Sequence, residues 1–248
     1  MVRRLCFLTV CCALLLVPPA VGQDAPPGPS FTGEGSLSFT VGVPSGEFRD
    51  QIDDLGFGGS VFAGVRFGAS PFVLGLDLNV LVYGRSRDTV PFSGTVGPRV
   101  QVDVVTTNSI VQPHLALRLQ PADGLVRPYV DGLVGFKYLF TETSVRDDNR
   151  DRDDDPIAST TNFDDFAFSG GAGAGLDVRV YRGTTADGVR DVSLHLGVQY
   201  LIGQEAEYLA EGDLIDDNNN GRLDPDELDI RRSTTTLVQP QIGVSLRF

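Results

Sequence analysis

The amino-acid sequence predicts an all-β fold: an eight-stranded antiparallel up-and-down β-barrel that crosses a membrane with its strands. Apolar side chains alternate with polar or small ones in eight separate segments, which is the period of a β-strand with two different faces. The connections between these segments are alternately short and long. The last segment, residues 241–248, is the most regular, because one of its faces is wholly apolar.

The N-terminus predicts a secretory signal peptide over residues 1–22. A basic start at Arg3 and Arg4 is followed by an apolar run at 5–17 and by a small-residue cleavage pattern at 20–22. The apolar run is too short for a spanning helix, and no later segment approaches the roughly 20 apolar residues that such a helix needs.

All three cysteines, Cys6, Cys11 and Cys12, lie in this leader. The mature chain is therefore expected to contain neither a thiol nor a disulfide. Lipidation of a leader cysteine is an alternative that these residues leave open.

The charge of the chain is strongly negative and unevenly distributed. The sequence has 20 Lys and Arg against 33 Asp and Glu, a net charge of −13, and removal of the leader arginines makes it more negative. A basic footprint for nucleic acid is absent, so nucleic-acid binding is disfavoured. The acidic residues gather in segments 147–155 and 213–229, which predicts acidic loops on a nearly neutral frame.

The first four predicted strands are short alternating runs bounded by Gly, Pro, Asp and Asn. They cover residues 36–43, 57–67, 72–82 and 114–119. Their apolar faces carry, in order, Leu37, Phe39, Val41 and Val43; Phe57, Val61, Ala63, Val65 and Phe67; Phe72, Leu74, Leu76, Leu78, Val80 and Val82; and Leu115, Leu117 and Leu119.

The last four predicted strands follow the same rule and cover residues 130–138, 166–179, 192–202 and 241–248. Their apolar faces carry, in order, Val130, Val134, Phe136 and Tyr138; Phe166, Phe168, Ala172, Leu176 and Val178; Val192, Leu194, Leu196, Val198, Tyr200 and Ile202; and Ile242, Val244, Leu246 and Phe248. Eight strands of about 10 residues match the smallest membrane barrels, which must close because lipid cannot satisfy an open sheet edge.

The lengths of the connections predict the orientation of the barrel. Those after the second, fourth and sixth strands are short, and those after the first, third, fifth and seventh are longer (44–56, 84–108, 141–165 and 203–236). Short turns on one rim and long loops on the other predict that both termini lie in the periplasm and that the long loops are extracellular. Residues 23–35 are expected to form an N-terminal periplasmic segment and residues 36–248 the barrel, with 203–236 as a long acidic loop.

The polar face of the strands is predicted to line the lumen. It is rich in small residues and carries few charges, of both signs, that can neutralise one another: Arg66, Asp77, Arg118, Asp131, Lys137, Asp177, Arg179 and Arg247. A secreted lipocalin-like barrel has the same strand count and is the alternative, but it would show many Lys and Glu on its outer face.

Two further sets of residues are assigned to the barrel rims. Aromatic side chains near strand ends are expected in the interfacial girdles: Phe72, Tyr138, Phe140, Phe166, Tyr200 and Phe248. The prolines Pro113, Pro128 and Pro240 are also expected near the rims, because proline removes a donor from the strand ladder.

The C-terminal segment resembles the targeting signal of bacterial outer-membrane β-barrels at Gln241, Gly243, Leu246 and Phe248. With VGVPSGEF after the first strand and RPYVDGLVGFKY in the fifth, the mature chain resembles the OmpA-like and OmpX-like family of eight-stranded outer-membrane barrels. The resemblance implies an outer-membrane location, contact with membrane lipid and lipopolysaccharide, and recognition by the barrel-assembly machinery through those four terminal positions. No peptidoglycan-binding domain follows residue 248, so cell-wall tethering is not implied.

The last long loop contains an EF-hand-like calcium motif over residues 216–227. Calcium prefers six to eight hard oxygen ligands, and this spacing supplies them at the required loop positions, with Gly221 permitting the sharp turn. The predicted ligands are Asp216, Asn218, Asn220, Arg222 through its carbonyl, Asp224 and Glu227. No amphipathic helix flanks the motif, so a single weak Ca²⁺ loop is predicted rather than a paired sensor; a solvated acidic loop is the alternative.

The predicted function is non-enzymatic, with a structural or surface-interaction role and an extracellular partner that the sequence does not identify. Two alternatives remain open. A narrow channel or small-ligand transport barrel is disfavoured because eight strands leave little space inside. A lipid-modifying esterase or acyltransferase would need a histidine beside a nucleophile, and His114, His195 and Ser193 all lie on the predicted lumen face.

Overall fold

The structure, a computed structural model, describes residues 31–52, 54–91, 101–147, 158–183, 188–210, 213 and 229–248. The compact unit spans Phe31–Phe248. The predicted signal peptide, residues 1–22, and most of the predicted N-terminal segment lie outside the described residues.

Ten strands and one short helix make up the described fold, and eight of the strands form the barrel. The elements in chain order are β1 (Phe31–Pro44), α1 (Glu47–Gln51), β2 (Gly56–Phe67), β3 (Phe72–Pro91), β4 (Gln101–Leu119), β5 (Val126–Asp147), β6 (Ala158–Arg182), β7 (Asp191–Gly203), β8 (Glu205–Tyr208), β9 (Arg231–Thr234) and β10 (Leu237–Arg247). Among the described residues, no helix is both long and apolar enough to cross a membrane.

The barrel is closed, and every neighbouring pair of strands is antiparallel. The ring runs β1-β10-β7-β6-β5-β4-β3-β2 and returns to β1, while β8 and β9 form a separate two-stranded sheet. Strands adjacent in sequence are adjacent in the ring, apart from the closing pair, in which Ser36 lies opposite Ser245. This confirms the predicted eight-stranded up-and-down barrel.

The two ends of the barrel differ as predicted, because short turns at one end face long connections at the other. β1, β2, β7 and β10 are 11 to 14 residues long, whereas β3 to β6 are 19 to 25 residues long. The predicted loops 84–108 and 141–165 are therefore partly strand. β3 and β4 remain paired out to Pro91 and Gln101, and β5 and β6 out to Val145 and Ala158.

Further predicted boundaries differ from those of the structure. β1 begins at Phe31, five residues before the predicted start, so the last part of the predicted N-terminal segment 23–35 belongs to the barrel wall. The connection predicted at 203–236 contains the hairpin β8–β9, and the connection after β1 contains α1.

The prediction that all three prolines lie near the rims is wrong for two of them. Pro128 is the third residue of β5 and precedes the first residue of that strand with a β4 partner, so it does lie at a rim. Pro113 lies opposite Leu78, and Pro240 opposite Val198, both in the middle of the paired wall.

At both central prolines the strand ladder is interrupted on one side. Pairing of β4 with β5 skips Gln112 and Pro113, and pairing of β10 with β1 skips Gln239 and Pro240. Proline has no backbone N–H to donate, so the gap lies at the residue that cannot bond. The wall accommodates each proline by losing pairs locally.

Closure of the barrel depends on a glycine in β10. A Cβ at Gly243 would lie 2.1 Å from the carbonyl oxygen of Leu37 and 2.5 Å from Cα of Ser38, both in β1. Real Cβ atoms do not approach so closely, so β1 and β10 meet here only because residue 243 has no side chain.

We predict that Gly243→Ala weakens the closing pair by about 1–3 kcal/mol through overpacking. The change is measured by titrating each variant with urea and reading the folded fraction from its heat-modifiable gel mobility. Gly132→Ala is the matched control, since a Cβ there meets nothing within 4 Å. Equal urea midpoints for the two variants would show that the close approach is not needed.

Candidate functional site

The outer face of the barrel is an uninterrupted apolar surface around all eight strands. Large side chains such as Leu37, Val134, Phe168 and Ile242 are 53 to 74 % exposed. A patch of this size on a protein in water would cause aggregation, and it matches a wall whose outer solvent is lipid. The prediction that the apolar strand faces point outward is confirmed.

The predicted girdle aromatics also lie on the outer face. Phe72 and Phe248 are about half exposed at the end with the short turns, where Phe31 and Phe67 also meet edge to face with ring centroids 5.3 Å apart. Towards the other end Tyr138 contacts Phe166, at 4.5 Å between ring centroids.

The interior is polar, and its buried charges balance. The cations are Arg66, Arg118, Arg127, Lys137 and Arg247, and the anions are Glu34, Asp77, Asp131, Asp177 and Asp191. Of the predicted interior charges, Arg179 alone lies partly outside, with 15 % of its side chain exposed. Neutrality is required because an uncompensated charge in a water-poor interior is strongly destabilising.

A fully buried ion pair joins Arg118 of β4 to Asp131 of β5. The guanidinium donates from Nε to Oδ1 at 2.8 Å and from Nη2 to Oδ2 at 2.9 Å, a bidentate geometry. The two residues lie opposite each other in the strand register. The arrangement follows directly from strand pairing.

Arg118 also forms the centre of a stack that crosses the lumen. Its guanidinium carbon lies 4.1 Å from the ring centroid of Phe62 and 4.1 Å from that of Tyr129, so the cation is enclosed between two aromatic faces. Tyr129 in turn stacks on His195, with centroids 5.3 Å apart and planes 11° apart. We call Phe62, Arg118, Tyr129 and His195 the lumen stack.

Paired glycines make space for both aromatic rings of the lumen stack. A Cβ at Gly75 would lie 2.7 Å from the Phe62 ring, and its β2 partner Gly64 is equally crowded by that ring. On the other side, Cβ atoms at Gly175 and its partner Gly197 would lie 2.5 and 2.2 Å from the Tyr129 hydroxyl. The rings lie against bare backbone.

The histidine environments do not match the predicted nucleophile arrangement. His195 Nδ1 lies 2.8 Å from Asp177 and Nε2 lies 3.0 Å from the Tyr129 hydroxyl, so both ring nitrogens are occupied. Ser193 instead accepts a hydrogen bond from Arg127 at 2.9 Å. His195 is thus held in the stack through both ring nitrogens. Neither nitrogen is available to activate Ser193.

His114 lies higher in the lumen and contacts a different serine. Its Nε2 lies 3.1 Å from the hydroxyl of Ser169, while Nδ1 has no hydrogen-bond partner among the described residues. A hydroxyl beside an imidazole without an acidic group to orient the ring lacks one of the three parts of a hydrolytic triad.

Below the lumen stack, arginines and carboxylates close the end with the short turns. Arg66 donates to Glu34 at 2.8 Å, and Arg247 and Arg127 both approach Asp191, at 3.3 and 3.4 Å. On the rim, the backbone N–H of Gly124 and then Arg179 lower the pKa of Asp123.

The middle of the lumen is a belt of amide and hydroxyl side chains. Asn79 accepts from Gln241 at 3.2 Å, and Gln239 donates to Gln112 at 3.1 Å, which joins β10 to β4 across the lumen. Gln112 and Gln239 are the residues next to the two central prolines. We call Asn79, Gln112, Gln239 and Gln241 the amide belt.

The end of the barrel with the long connections is covered by α1 and the hairpin β8–β9, which with Leu209 and Ala210 we call the cap. Phe48 of α1 is fully buried and packs edge to face on Tyr208, 5.1 Å between ring centroids. Tyr83 of β3 donates its hydroxyl hydrogen to the carbonyl of Leu209 at 3.1 Å.

The cap is also connected internally by polar contacts. Arg231 forms a bidentate pair with Asp213, 2.8 Å at both contacts, and Tyr208 lies 2.6 Å from the hydroxyl of Ser233. Burial is the main cause that raises the pKa of Tyr208. Thr234 donates its hydroxyl hydrogen to Glu47 at 3.0 Å, which ties the hairpin to α1.

The predicted calcium ligands Asp216, Asn218, Asn220, Arg222, Asp224 and Glu227 lie outside the described residues. The backbone N–H of Asp229 donates to the carbonyl of Asp213 at 3.1 Å, so the chain segments that enter and leave this stretch are joined. Within the part of the chain that the structure describes, no group of three or more His, Cys, Asp or Glu side chains is placed to hold a metal ion.

Several interior residues were missed because the predicted strands were too short. Glu34 lies two residues before the predicted start of the first strand, on its polar face. Arg127 and Tyr129 precede the fifth predicted strand in the same phase, and Asp191 precedes the seventh. Extending the period of two by one to three residues would have placed all four in the lumen.

Comparisons with known proteins find similarity in structure alone. No protein-family model matches the chain. No curated protein matches it either. Neisserial surface protein A is 11 % identical with a TM-score of 0.35, covering 89 % of this chain and 98 % of that one. The Ail attachment invasion locus protein of Yersinia pestis is 13 % identical with a TM-score of 0.37, covering 88 % and 97 %. A major outer membrane protein from Thermus thermophilus is 13 % identical with a TM-score of 0.33, covering 87 % and 99 %.

We predict that Arg118→Met destabilises the barrel by about 3–5 kcal/mol, because Asp131 is left buried without its partner. The double variant Arg118→Met, Asp131→Asn should recover more than half of that loss. Urea unfolding in detergent micelles measures both.

Arg182→Met is the matched control. It removes a pair with Asp123 in which both side chains are more than 60 % exposed, so its effect should stay below about 1 kcal/mol. A double variant as unstable as Arg118→Met would show that the cation itself, and not charge balance, stabilises the stack.

Proposed function

We propose that this protein is an integral β-barrel of the bacterial outer membrane with a non-enzymatic, structural or surface-interaction role. The observation that carries the proposal is the apolar outer face of a fully closed ring. In lipid, each unpaired backbone N–H or C=O costs several kcal/mol, so a closed ring with an apolar exterior suits that solvent. Export by the predicted signal peptide supports the same location.

The proposed orientation places the short turns in the periplasm and the cap outside. The proposed lipid contacts are then the outward apolar side chains, with lipopolysaccharide around the extracellular end. The barrel-assembly machinery is proposed to recognise Gln241, Gly243, Leu246 and Phe248. Leu246 and Phe248 face outward at the end of β10, whereas Gln241 and Gly243 face the lumen.

A surface role is supported by where the exposed polar structure lies. The extended ends of β3 to β6 and the cap are at the same end as the acidic segments 147–155 and 213–229 of the sequence. The lumen stack and the packed cap leave little open space along the lumen for a passive channel. The contacts of His195 and Ser193 described above do not form a nucleophile and base, which argues against the lipid-modifying alternative.

We further propose that residues 216–227 bind one Ca²⁺ ion through the six residues predicted from the sequence. The backbone hydrogen bond from Asp229 to Asp213 brings the two flanks of this segment together. An EF-hand-like motif needs its first and last ligands at one ion, so joined flanks support the proposal. A single loop of this kind is expected to bind in the range of roughly 0.1–1 mM, as weak extracellular modules do.

The membrane proposal predicts a large, depth-dependent effect of charge on the outer face. Val134→Arg places a guanidinium in the middle of β5, where the present side chain is 62 % exposed, and should destabilise the bilayer-inserted barrel by about 2–4 kcal/mol. Thr160→Arg, in the extended part of β6, should change stability by less than about 0.5 kcal/mol. The readouts are heat-modifiable mobility and urea unfolding in lipid vesicles. Similar effects of the two substitutions, or a compact monomer that needs no detergent, would contradict membrane insertion.

The calcium proposal predicts that Ca²⁺ at a few millimolar slows protease cleavage between residues 213 and 229 in the folded barrel. Glu227→Gln removes the bidentate carboxylate and should abolish the protection, while Glu205→Gln, on the exposed cap surface, should preserve it. The fragments identified by mass spectrometry show the cleavage positions. Identical digestion with calcium and with chelator would refute binding at this loop and would leave the barrel assignment standing.

A further inference from the structure

Lys137 is the buried cation of the lumen that has no acidic partner among the described residues. Its side chain is 0 % exposed. The ammonium group donates to the carbonyl oxygen of Leu201 at 3.2 Å and to that of Thr235. Both acceptors are backbone carbonyl groups, so only dipoles stabilise the charge. Burial of a cation without an acidic partner costs free energy.

These two carbonyls lie on either side of the junction between the barrel wall and the cap. Leu201 belongs to β7, while Thr235 follows the last residue of β9 and precedes the first of β10. Lys137 projects from β5, on another part of the ring. Its ammonium group therefore fastens the cap junction to the wall from inside the lumen.

The junction itself is narrow. The N–H of Thr235 donates to the carbonyl of Gly203 at 3.3 Å, and the Thr235 hydroxyl donates to the carbonyl of Gln204 at 3.3 Å. A Cβ at Gly203 would lie 1.9 Å from the Thr235 hydroxyl, so the two chains touch where the hairpin leaves the barrel. The hairpin β8–β9 is a separate sheet and forms no ladder with the ring.

Beneath the cap, the amide belt and nearby side chains contain buried polar atoms that have no hydrogen-bond partner among the described residues. They include Ser38 Oγ, Thr40 Oγ1, Gln112 Nε2, His114 Nδ1 and Gln239 Oε1. All five residues are at least nine-tenths buried. Buried polar groups of this kind are commonly satisfied by ordered water, and we call the level formed by these five residues the chamber.

The chamber has a seal at each end. The lumen stack crosses the barrel on the periplasmic side, where Arg118 is held by Asp131 and by two rings. The cap closes the other side through Phe48, Tyr83 and Tyr208. The lower seal is built from side chains of the wall alone, whereas the upper seal combines Phe48 and Tyr208 of the cap with Tyr83 of β3.

We propose that the cap is a lid over this chamber, that Lys137 is the latch that keeps it shut, and that its opening admits water and small polar solutes to the amide belt without unfolding the barrel. The internal contacts of the cap, Arg231 with Asp213 and Thr234 with Glu47, let it move as one body. Opening requires release of Thr235 and withdrawal of Phe48. It also breaks the hydrogen bond that Tyr83 donates to Leu209 and those that the backbone N–H groups of Gln204 and Glu207 donate to Phe168 and Asp165 of β6.

The test measures how fast a small neutral thiol reagent reaches the chamber. Gln239→Cys places the reporter in the amide belt, on the tryptic peptide after Arg232, which contains no other cysteine. Methyl methanethiosulfonate is added to the folded full chain in detergent micelles, and modification of that peptide is followed by mass spectrometry. Heat-modifiable mobility confirms the folded barrel in each sample.

Lys137→Met keeps a long unbranched side chain and removes the ammonium donor. It should accelerate labelling of the reporter by about tenfold or more, since a hydrogen bond to a charged group is lost from the closed state alone. Arg232→Met makes the same exchange on the exposed cap surface, where Arg232 pairs with Glu205, and should leave the rate unchanged. A second reporter, Ser159→Cys on the exposed part of β6, should react at one rate in every background.

Phe48→Ala provides a second route, because Phe48 lies in the cap, outside the barrel strands, and packs against Tyr208 and Tyr83. It should also accelerate labelling, and it carries the test if Lys137→Met does not fold. Equal reporter rates in folded Lys137→Met and Arg232→Met would overturn the latch, and an unchanged rate in Phe48→Ala would overturn the lid. None of these results depends on calcium or on the location of the barrel in the cell.

Discussion

Closure of the backbone hydrogen-bond ring is the constraint on which the rest of the structure depends. Once β1 and β10 pair, no strand edge remains within the wall, and the outer face can be wholly apolar. The same closure forces the polar faces of eight strands into a space about as wide as two side chains, so interior residues must match in size, hydrogen bonding and charge. Gly243 at the closing pair, the paired glycines beside the lumen stack and the balanced interior charges all satisfy parts of this one requirement.

The interior divides into three levels with different chemistry. The level at the short turns uses ion pairs and the lumen stack, the middle level uses amides, and the level beneath the cap uses the apolar contacts of Phe48, Tyr83 and Tyr208. The two central prolines lie at the middle level, where the ladder gaps on β4 and β10 adjoin the amides of Gln112 and Gln239. Both proline gaps in the strand ladder therefore lie at the level of the amide belt.

Much of the fold could be predicted from the sequence because a period of two is a direct consequence of strand geometry. The faces of Leu37, Val134 and Ile242 were assigned correctly for that reason. The extended parts of β4 and β5 were missed because neighbouring residues such as Thr106 and Thr107, or Glu142 and Thr143, are polar. Both faces of each strand are then polar once the strand leaves the apolar zone. α1 and β8–β9 are too short to carry a period at all.

The candidate site was predicted less completely, because its geometry depends on the register between strands. The sequence placed Arg118, Asp131 and Asp177 in the lumen, but no pattern along one strand tells which carboxylate each cation meets. The enclosure of Arg118 by Phe62 and Tyr129 requires residues from three strands. The calcium motif is the opposite case. Its predicted ligands all lie within the single segment 216–227, so their spacing along the sequence is enough for the prediction.

The glycine pairs behind Phe62 and Tyr129 have a consequence for how this chain can vary. The ion pair of Arg118 and Asp131 can be exchanged for a neutral pair if both members change together, because volume and neutrality are then preserved. No larger residue can replace Gly175 or Gly197 in the same way, since the neighbouring ring already occupies the position of the missing atom. These glycines of the wall thus tolerate substitution less than the charged pair in the lumen does.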